Sequence, residues 1–541
     1  MDSFEGMIDE RSRAPFEAPA PPASPAPPAP RRRDLADGQG AVVLAATVAA
    51  GLLTIAYLAV LGSLDAVPYQ DAPNHLSRAV IASDILFHGG RRFGELFSFR
   101  IAFAPYGLGD VALASLVAVF GPYGAERLWV GLVMASLPAA TVLYLKTLRY
   151  PPYAVAVGAI VALYLSTDWV FVAGFQAFRL GVALALVALA AWQRFLEGGA
   201  ARWFVVYAAA LAAGYLMHLS VLVFCGAGVC VTGALAVARG RATVWRVLAG
   251  GLPLAALLGS SLASGGGVPA GATEWNPPLL KLKRTFQPFH RYGYLPEGAL
   301  CALLAAAHAL LLGGWRVGWR REHAITAASL AATFLAFYFV MPVGRGYVYW
   351  IDCRALPFVP LFALFAVLAV AGERPRRAWA AVALACALAA GNLLLLHHEL
   401  GPHDEVMREY RAIAARVPAG ATVLPIATRP ADHGTNPYLH AGSFATIEAA
   451  ARIPYLFAGG VTPYFDWRSP RPVAPSEFWY QERRSVAFQL LAAGLEYDFL
   501  LVMKPYDPAR GPWVATEVVA ENDVAALLRI VHGGPGDDGR R

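Results

Sequence analysis

The stretch VPYQDAPNHLSRAV, residues 67–80, places side chains suited to acid–base and phosphate chemistry just after the first long apolar run of the chain. It contains the carboxylate of Asp71, the imidazole of His75 and the guanidinium of Arg78. Residues four positions apart share one face of a helix, so Asp71 and His75 can serve one site. A carboxylate there suits general base catalysis on a hydroxyl group. The structural alternative is that Asp71 caps the helix that APNHLSRAV predicts.

Two further residues have both a chemical and a structural interpretation. Asp84, one amphipathic stretch later, can orient an acceptor or share a cation. His218 lies at a predicted helix turn in YLMHLSV, where it either lines the same site or is a hydrogen-bonded residue at a kink. Hydrogen-bonded packing is also the alternative to catalysis for His75.

The composition identifies the class of protein that must position these residues. The chain has 541 residues, of which 57% are hydrophobic and only 15% are charged, whereas soluble domains carry more charge. Its apolar runs recur at the length of about 20 residues that a helix needs to cross a bilayer. These observations predict a polytopic helical membrane protein. The five cysteines show neither disulfide nor metal-ligand spacing, so we predict that they are packing residues.

The positions of the arginines and lysines select one membrane topology. One apolar run, 107–121, is short and carries Asp110 near its start. If it lies in the membrane interface, the basic clusters between the other runs all face the cytoplasm, as the positive-inside rule requires. We therefore predict about eleven transmembrane helices and one interfacial helix. The predicted outer loops are 64–125, 264–296 and 343–353.

The sequence divides into three regions. Residues 1–38 are rich in proline and alanine and predict a disordered cytoplasmic tail. Residues 39–397 are predicted to form the multi-span domain of a bacterial inner-membrane protein. Residues 398–541 mix charges, turn residues and alternating patterns, and predict a small α/β domain on the periplasmic side. In this tail ATVLPI and YDFLLVMKP predict strands, and ENDVAALLRIV predicts a closing helix.

Basic residues recur in all three outer loops, where the positive-inside rule disfavours them. Solvated loops and contacts with lipid headgroups are the simple explanation. Their occurrence on one face favours an anionic ligand such as a lipid phosphate or pyrophosphate, because arginine binds phosphate oxygens bidentately. The residues concerned are Arg78, Arg91, Arg92, Arg100, Arg127, Lys281, Lys283, Arg284, His290, Arg291, Arg345 and Arg354.

Two stretches resemble the GT-C glycosyltransferases, integral membrane enzymes that use polyprenyl-phosphate sugars and include the aminoarabinose transferases and the protein O-mannosyltransferases. PYGLGDVALASLVAVFGPYGAERLWVGLVMASLPAATVLYLKTLRY is similar to their interfacial helix and second span, and DCRALPFVPLFALF to the start of a late span. The resemblance covers most of residues 41–397. It implies a GT-C-like fold, an all-α polytopic membrane protein with a small α/β C-terminal domain.

By position, the resemblance implies that Asp71 is the catalytic acid–base residue and that Arg127 and Arg354 face the donor phosphate. No Asp-Asp or Asp-Glu doublet follows the first span, so a divalent cation such as Mg²⁺ or Mn²⁺ is left open and no metal ligands are assigned. The residues placed in an outer loop that closes on the lipid donor are Lys281, Lys283 and Arg284. The remaining candidates for the acceptor side of the site are His75, Arg78, Asp84, His218 and Arg345.

The reaction implied is transfer of a hexosyl or pentosyl group from a polyprenyl-phosphate carrier to a hydroxyl of a lipid, glycan or protein acceptor, with inversion. Membrane lipids are expected partners, and nucleic acid is not. One alternative is a catalytically silent GT-C-like scaffold, which the aromatic stretch 462–484 would suit. The other is a transporter or flippase for an anionic lipid-linked glycan, in which ionisable residues at the bilayer midplane and paired repeats are typical.

Overall fold

The structure, a computed structural model, describes most of the chain. The predicted N-terminal tail up to residue 31 and much of the aromatic stretch 462–484 lie outside the described residues. The described ranges are 32–263, 271–291, 294–312, 321–346, 348–370, 375–427, 435–458, 464–472, 497–505 and 515–531.

Apolar helices form most of these ranges. Within them, eight helices are long and apolar enough to cross a membrane, and three shorter apolar helices accompany them. The prediction of a multi-pass helical membrane protein is confirmed, and the predicted number of about eleven spans stays a prediction. In chain order the helices are α1 Arg32–Gly62, α2 Ala72–Phe87, α3 Gly107–Thr147, α4 Pro152–Ser166, α5 Trp169–Val172, α6 Gln176–Gly198, α7 Ala201–Met217, α8 Leu219–Ala238, α9 Val244–Ala263, α10 Pro278–Arg284, α11 Tyr294–Leu312, α12 Arg321–Val340, α13 Phe358–Val370, α14 Pro375–Ala414 and α15 Ser443–Ala449.

Helix α3 consists of two segments separated by a break. Gly121 adopts φ 70° and ψ 172°, which is not helical, and Pro122 follows it without a backbone N–H to donate. The first segment, from Gly107 to Phe120, corresponds to the run for which the sequence predicts an interfacial helix. Its orientation along the membrane surface stays a prediction.

Short strands make up the rest of the regular structure. Within the described residues, the strands are β1 Phe97–Phe99, β2 Thr273–Glu274, β3 Gly344–Arg345, β4 Val348–Tyr349, β5 Val423–Ile426, β6 Phe465–Trp467, β7 Phe499–Met503, β8 Thr516–Glu521 and β9 Ala525–Ile530. Strand β5 pairs with β7 in parallel, and β7, β9 and β8 continue the sheet in antiparallel order. A second pair joins β1 to β6, and a third sheet has the order β2-β3-β4.

The C-terminal sheet confirms two predicted strands and corrects one predicted helix. ATVLPI and YDFLLVMKP contain β5 and β7, whereas ENDVAALLRIV forms the turn into β9 and the strand itself. The side chain of Asn522 accepts hydrogen bonds from the backbone N–H groups of Val524 and Ala525 and so holds the turn between β8 and β9. Pairing with β7 and burial on both faces outweigh the helix propensity of the AALL sequence.

The C-terminal domain and the helical bundle share one hydrophobic core. Tyr57 of α1 and Leu76 of α2 belong to the same buried cluster as Phe444 of α15 and Leu527 of β9. The strand pair β1–β6 extends this contact, and the rings of Phe97 and Phe465 stack in it. The domain is therefore fixed on the end of the bundle that carries α2.

Two predicted boundaries fall inside helices. Helix α1 begins at Arg32, so residues 32–38, part of the predicted disordered tail, are helical. Helix α14 runs through the predicted boundary at residue 397 and ends at Ala414. The last transmembrane helix therefore continues directly into the C-terminal domain.

Candidate active site

Asp71 lies at the junction between the first span and α2. It occupies the position before the first residue of α2, but its side chain makes no capping hydrogen bond to that helix. The residue is only 8% exposed. Its Oδ1 lies 3.4 Å from Nε2 of Gln70 and 3.5 Å from Nε2 of His440. The side chain of Asp71 therefore does not cap α2, which was the structural alternative.

The loop after α5 forms one wall against Asp71. The backbone N–H of Asp71 donates to the carbonyl of Ala173 in this loop. The next residue, Gly174, adopts φ +85°. A Cβ atom at Gly174 would lie 2.8 Å from the backbone nitrogen of Asp71, so glycine is required by both conformation and space. The buried ion pair of Asp168 and Arg179, 3.2 Å apart, fixes this loop to α6.

Arg354 brings a positive charge to the carboxylate. It lies in the 3-10 helix Asp352–Ala355 ahead of α13 and is 9% exposed. Its guanidinium covers the ring of Phe175 at 5.2 Å, and one terminal nitrogen reaches the carbonyl of Tyr349 at 3.5 Å. Its Nε has no hydrogen-bond partner among the described residues. A buried guanidinium with donor capacity to spare suits an anionic ligand.

A tyrosine and a histidine lie next to this arginine. Tyr106 precedes α3 with φ 70°, an uncommon conformation for a residue with a side chain. Its hydroxyl lies 3.1 Å from Nε2 of His218, whose Nδ1 accepts the backbone N–H of Ser220 at the start of α8. His218 therefore links α3 to α8 and holds Tyr106 beside Arg354, in agreement with the predicted polar residue at a helix turn.

Burial sets the protonation of Asp71. It raises the pKa of the carboxyl to about 7, while the hydrogen bond from Gln70 and the charge of Arg354 act in the opposite direction. Burial also lowers the pKa of His440 and of His75 to about 3, so both rings are neutral at neutral pH. A carboxyl group with a pKa close to neutrality suits general base chemistry at neutral pH.

Arg78 and His75 have structural partners. Both the Nε and a terminal nitrogen of Arg78 donate to Asp110, and the hydroxyl of Tyr464 donates to the other oxygen of that carboxylate. The ring of His75 packs edge-on against Phe457. These contacts tie α2 and α3 to the C-terminal domain. The predicted ligand-binding roles of Arg78 and His75 stay predictions.

Lys281 is bonded within the protein. Its Nζ donates to the backbone carbonyls of Tyr338, Phe339 and Met341 at the end of α12 and lies 3.4 Å from Asp352. The side chain is only 2% exposed. The ammonium therefore caps the C-terminal end of α12, and its predicted role in donor binding stays a prediction.

The other predicted residues lie in separate surroundings. Arg127 donates to the carbonyl of Leu64 and to Asp65, 2.7 Å and 3.0 Å away. Asp84 accepts the backbone N–H groups of Arg92 and Phe93 and so holds the turn after α2. Three further residues are more open: Lys283 and Arg345 are exposed, and half-buried Arg284 stacks on Trp350. Among the residues that the structure describes, no group of three His, Cys, Asp or Glu side chains can hold a metal ion.

The geometry agrees with a known membrane fold. The chain is similar to the crystal structure of ArnT from Cupriavidus metallidurans bound to undecaprenyl phosphate, with a TM-score of 0.53 and 12% sequence identity, over 90% of this chain and 98% of that chain. The protein has the fold of ArnT. The GT-C-like fold that the sequence predicts is thereby confirmed. No protein-family model and no curated protein sequence matches the chain.

Several residues of the site carry no signal that sequence analysis detected. Tyr106 and Gly174 act through backbone conformation, and His440 and Tyr464 come from the C-terminal domain. The left-handed conformations of Tyr106 and Gly174 are visible only in the fold. The contact of His440 with Asp71 depends on how the C-terminal domain docks on α2.

Proposed function

We propose that the protein is a membrane glycosyltransferase that moves a sugar from a polyprenyl-phosphate carrier to a hydroxyl acceptor, with Asp71 as general base. The single observation that carries the proposal is that the buried carboxyl of Asp71 lies within the electrostatic influence of the buried guanidinium of Arg354. Burial raises the pKa of the Asp71 carboxyl to about 7, the charge of Arg354 opposes that rise, and Nε of Arg354 has no hydrogen-bond partner among the described residues. The ArnT structure of the same fold was solved with undecaprenyl phosphate, a ligand of the chemistry that Arg354 suits.

The proposed step needs one base and one anion-binding group. The acceptor oxygen attacks the anomeric carbon as the bond from that carbon to the phosphate oxygen breaks, and its electron pair leaves with the phosphate. The proton of the acceptor hydroxyl passes to Asp71. Attack on the face opposite the phosphate inverts the anomeric centre. Arg354 binds the leaving phosphate, whose negative charge grows as the bond breaks, and so stabilises the transition state more than the ground state.

We also propose an orientation of the protein in the membrane. The N-terminus lies in the cytoplasm, and the C-terminal domain and the site lie on the outer face of a bacterial inner membrane. The basic clusters at the other ends of the spans support this orientation. The donor enters from the lipid, and the acceptor is a lipid, glycan or protein carrying a free hydroxyl group. The transferred group is a hexosyl or pentosyl unit.

Two variants test the two roles separately. Purified protein in proteoliposomes is supplied with labelled undecaprenyl-phosphate sugars, and undecaprenyl phosphate binding is measured in parallel. Asp71→Asn should lower transfer roughly 10²- to 10⁴-fold while carrier binding is retained. Arg354→Gln should weaken carrier binding about 10- to 100-fold, because a charge-assisted hydrogen bond is lost.

The matched control is Arg529→Gln, which removes an exposed arginine of β9 that lies 3.9 Å from Glu517. It should change neither transfer nor carrier binding. Near-normal transfer by Asp71→Asn would remove the base role, and unchanged carrier affinity in Arg354→Gln would show that the phosphate is bound elsewhere. Carrier binding by the wild type without transfer of any supplied sugar would favour a binding protein over an enzyme.

A further inference from the structure

His440 of the C-terminal domain lies directly beside the carboxylate of Asp71. Its Nε2 is 3.5 Å from Oδ1 of Asp71, and the residue is only 3% exposed. The ring packs against Phe457, with 4.9 Å between ring centroids at a steep angle. The packing holds the imidazole in one orientation toward Asp71. At 3.5 Å a small rotation of the carboxylate brings its oxygen into hydrogen-bond range of the ring.

Asn74 determines which nitrogen of His440 carries the proton. Its Oδ1 accepts the backbone N–H of Phe457 at 2.9 Å, which fixes the orientation of the amide. Its Nδ2 donates to the carbonyl of Tyr455 at 2.7 Å and lies 3.2 Å from Nδ1 of His440. An amide NH₂ has only donors, so Nδ1 of His440 must be the acceptor. The proton of the neutral ring is then on Nε2, the nitrogen that faces Asp71.

We propose that His440 is a positioning residue for Asp71: after a small rotation of the carboxylate its Nε2–H donates to Oδ1, stabilises the ionised carboxylate and leaves Oδ2 to take the proton of the acceptor. This inference rests on the proposed function, because it gives the proposed base a partner. It also makes the C-terminal domain part of the catalytic site. Asn74 of α2 and His440 are 366 positions apart in the sequence, so docking of the domain completes the site.

The proton balance follows from the hydrogen bonds. His440 keeps its Nε2 proton throughout, and its Nδ1 is engaged with Asn74. The acceptor proton therefore stays on Asp71 until it is released to water after transfer. His440 does not act as the base, since burial lowers its pKa to about 3 and opposes a second proton on the ring.

Other charged and titratable groups surround the pair and remain the same in the variants below. Arg354 faces Asp71 from the 3-10 helix, and its charge favours the carboxylate. Arg78 is matched by Asp110, so its charge is balanced. Among the described residues, the charged and titratable groups on the elements packed around the pair are Arg354, His75, Arg78, Asp110, Tyr106, Tyr464 and His218.

Two amide variants separate the two sides of the imidazole. His440→Asn places an amide near Nδ1, so the contact with Asn74 is kept and the donor to Asp71 is lost. His440→Gln places an amide nitrogen near Nε2 and restores that donor. The control is His403→Gln, since His403 bonds to the hydroxyl of Tyr438, 2.5 Å away, elsewhere in the C-terminal domain. If His440→Asn does not fold, His440→Leu fills the ring's space without a donor.

The first measurement needs no substrate. Infrared difference spectra of the full-length protein, recorded across pH, follow the C=O stretch of the protonated carboxyl, and Asp71→Asn assigns the band. Loss of a hydrogen bond to the ionised form should raise the titration midpoint of Asp71 by about one pH unit in His440→Asn. His440→Gln should return the midpoint to the wild-type value, and the control should not move it.

The second measurement is the pH profile of sugar transfer. In His440→Asn the midpoint of the acidic limb should rise by about one pH unit. Transfer activity should therefore fall about tenfold at pH 6 and recover at pH 8.5. Loss of structure alone would lower activity equally at all pH values. An unmoved carboxyl titration in His440→Asn, or an equal shift in His440→Gln, would overturn the inference. A shifted titration in a protein that transfers no sugar would support the inference and contradict the proposed function.

Discussion

The hydroxyl of Tyr464 donates a 2.6 Å hydrogen bond to Oδ2 of Asp110, whose Oδ1 accepts from Arg78. Tyr464 belongs to the C-terminal domain, Asp110 to the first segment of α3 and Arg78 to α2. All three side chains are buried. The carboxylate thus joins the domain to two helices next to the candidate site, and burial makes each of its hydrogen bonds costly to lose.

Tyr464→Phe tests this attachment. We expect it to lower the free energy of unfolding by about 1.5–3 kcal/mol, because a buried charged acceptor loses a donor. The measurements are the unfolding temperature in detergent and the rate at which protease releases the C-terminal domain. Lys504→Met is the control: it removes a partly exposed ion pair with Glu521, which should contribute under about 1 kcal/mol. Equal behaviour of the two variants would show that Tyr464 does not hold the domain.

The raised pKa of Asp71 predicts a pH dependence of stability. The carboxyl titrates at about 7 in the folded chain and at 3.8 as a free group, so the folded state binds the proton more tightly. Protonated Asp71 is therefore stabilising at low pH, and this stabilisation is lost as the pH rises from about 4 to above 7. The loss amounts to about 4 kcal/mol.

Asp71→Asn is neutral at every pH and should remove this dependence. It should raise the unfolding temperature relative to the wild type most at pH 8.5 and by less than half as much at pH 5, where only the unfolded carboxyl is ionised. The comparison is made by thermal unfolding at both pH values in one detergent. A variant that is equally or less stable than the wild type at pH 8.5 would contradict a buried carboxylate.

The sequence predicted the helical part of the fold, and it selected Asp71 and Arg354, whose roles in the site stay predictions. Apolar run length and the placement of arginines depend only on local chemistry, and they gave the spans. Asp71 and Arg354 could be selected because each is a charged group immediately beside a span. Their proximity depends on packing among several helices, which no local pattern records.

His440 and Lys281 show where local patterns stop being informative. The YLHAG sequence has no spacing that relates it to Asp71, because the contact depends on docking of the C-terminal domain through α2 and the β1–β6 pair. Lys281 looks like a phosphate-binding lysine from its charge and loop, yet its ammonium meets the carbonyls at the end of α12. Residue type gives the charge, and only the fold gives the partner.

Lys281→Met distinguishes helix capping from donor binding. Removal of the buried ammonium leaves Asp352 and the end of α12 without their partner, so we expect a destabilisation of roughly 3–5 kcal/mol. Carrier affinity measured on the folded fraction should stay within about threefold, an effect below roughly 1 kcal/mol. Lys283→Met, at an exposed lysine two positions away, should leave stability unchanged. Unaltered stability together with a large loss of carrier affinity in Lys281→Met would instead support the donor-binding role.

Gly174→Ala tests whether the loop after α5 positions Asp71. The new Cβ would lie 2.8 Å from the backbone nitrogen of Asp71 and 3.0 Å from its Cβ, so neither atom is the far end of a flexible side chain. Relief of this clash changes the position of Asp71 relative to the loop after α5. Small displacements of a catalytic group can cost up to about 10²-fold in rate, so we expect transfer to fall roughly 10- to 100-fold while undecaprenyl phosphate binding is kept.

Gly420→Ala separates this displacement from the cost of the backbone conformation. Gly420 adopts φ +75°, close to the +85° of Gly174, but a Cβ there meets no atom within 4 Å. Both variants should lose about 1–2 kcal/mol of stability from a left-handed alanine. Only Gly174→Ala should also lose transfer activity, in steady-state assays at saturating donor. Equal transfer rates in the two variants would mean that the wall formed by Gly174 does not determine the position of the base, and the carboxylate would then have to be held by Gln70 and His440 alone.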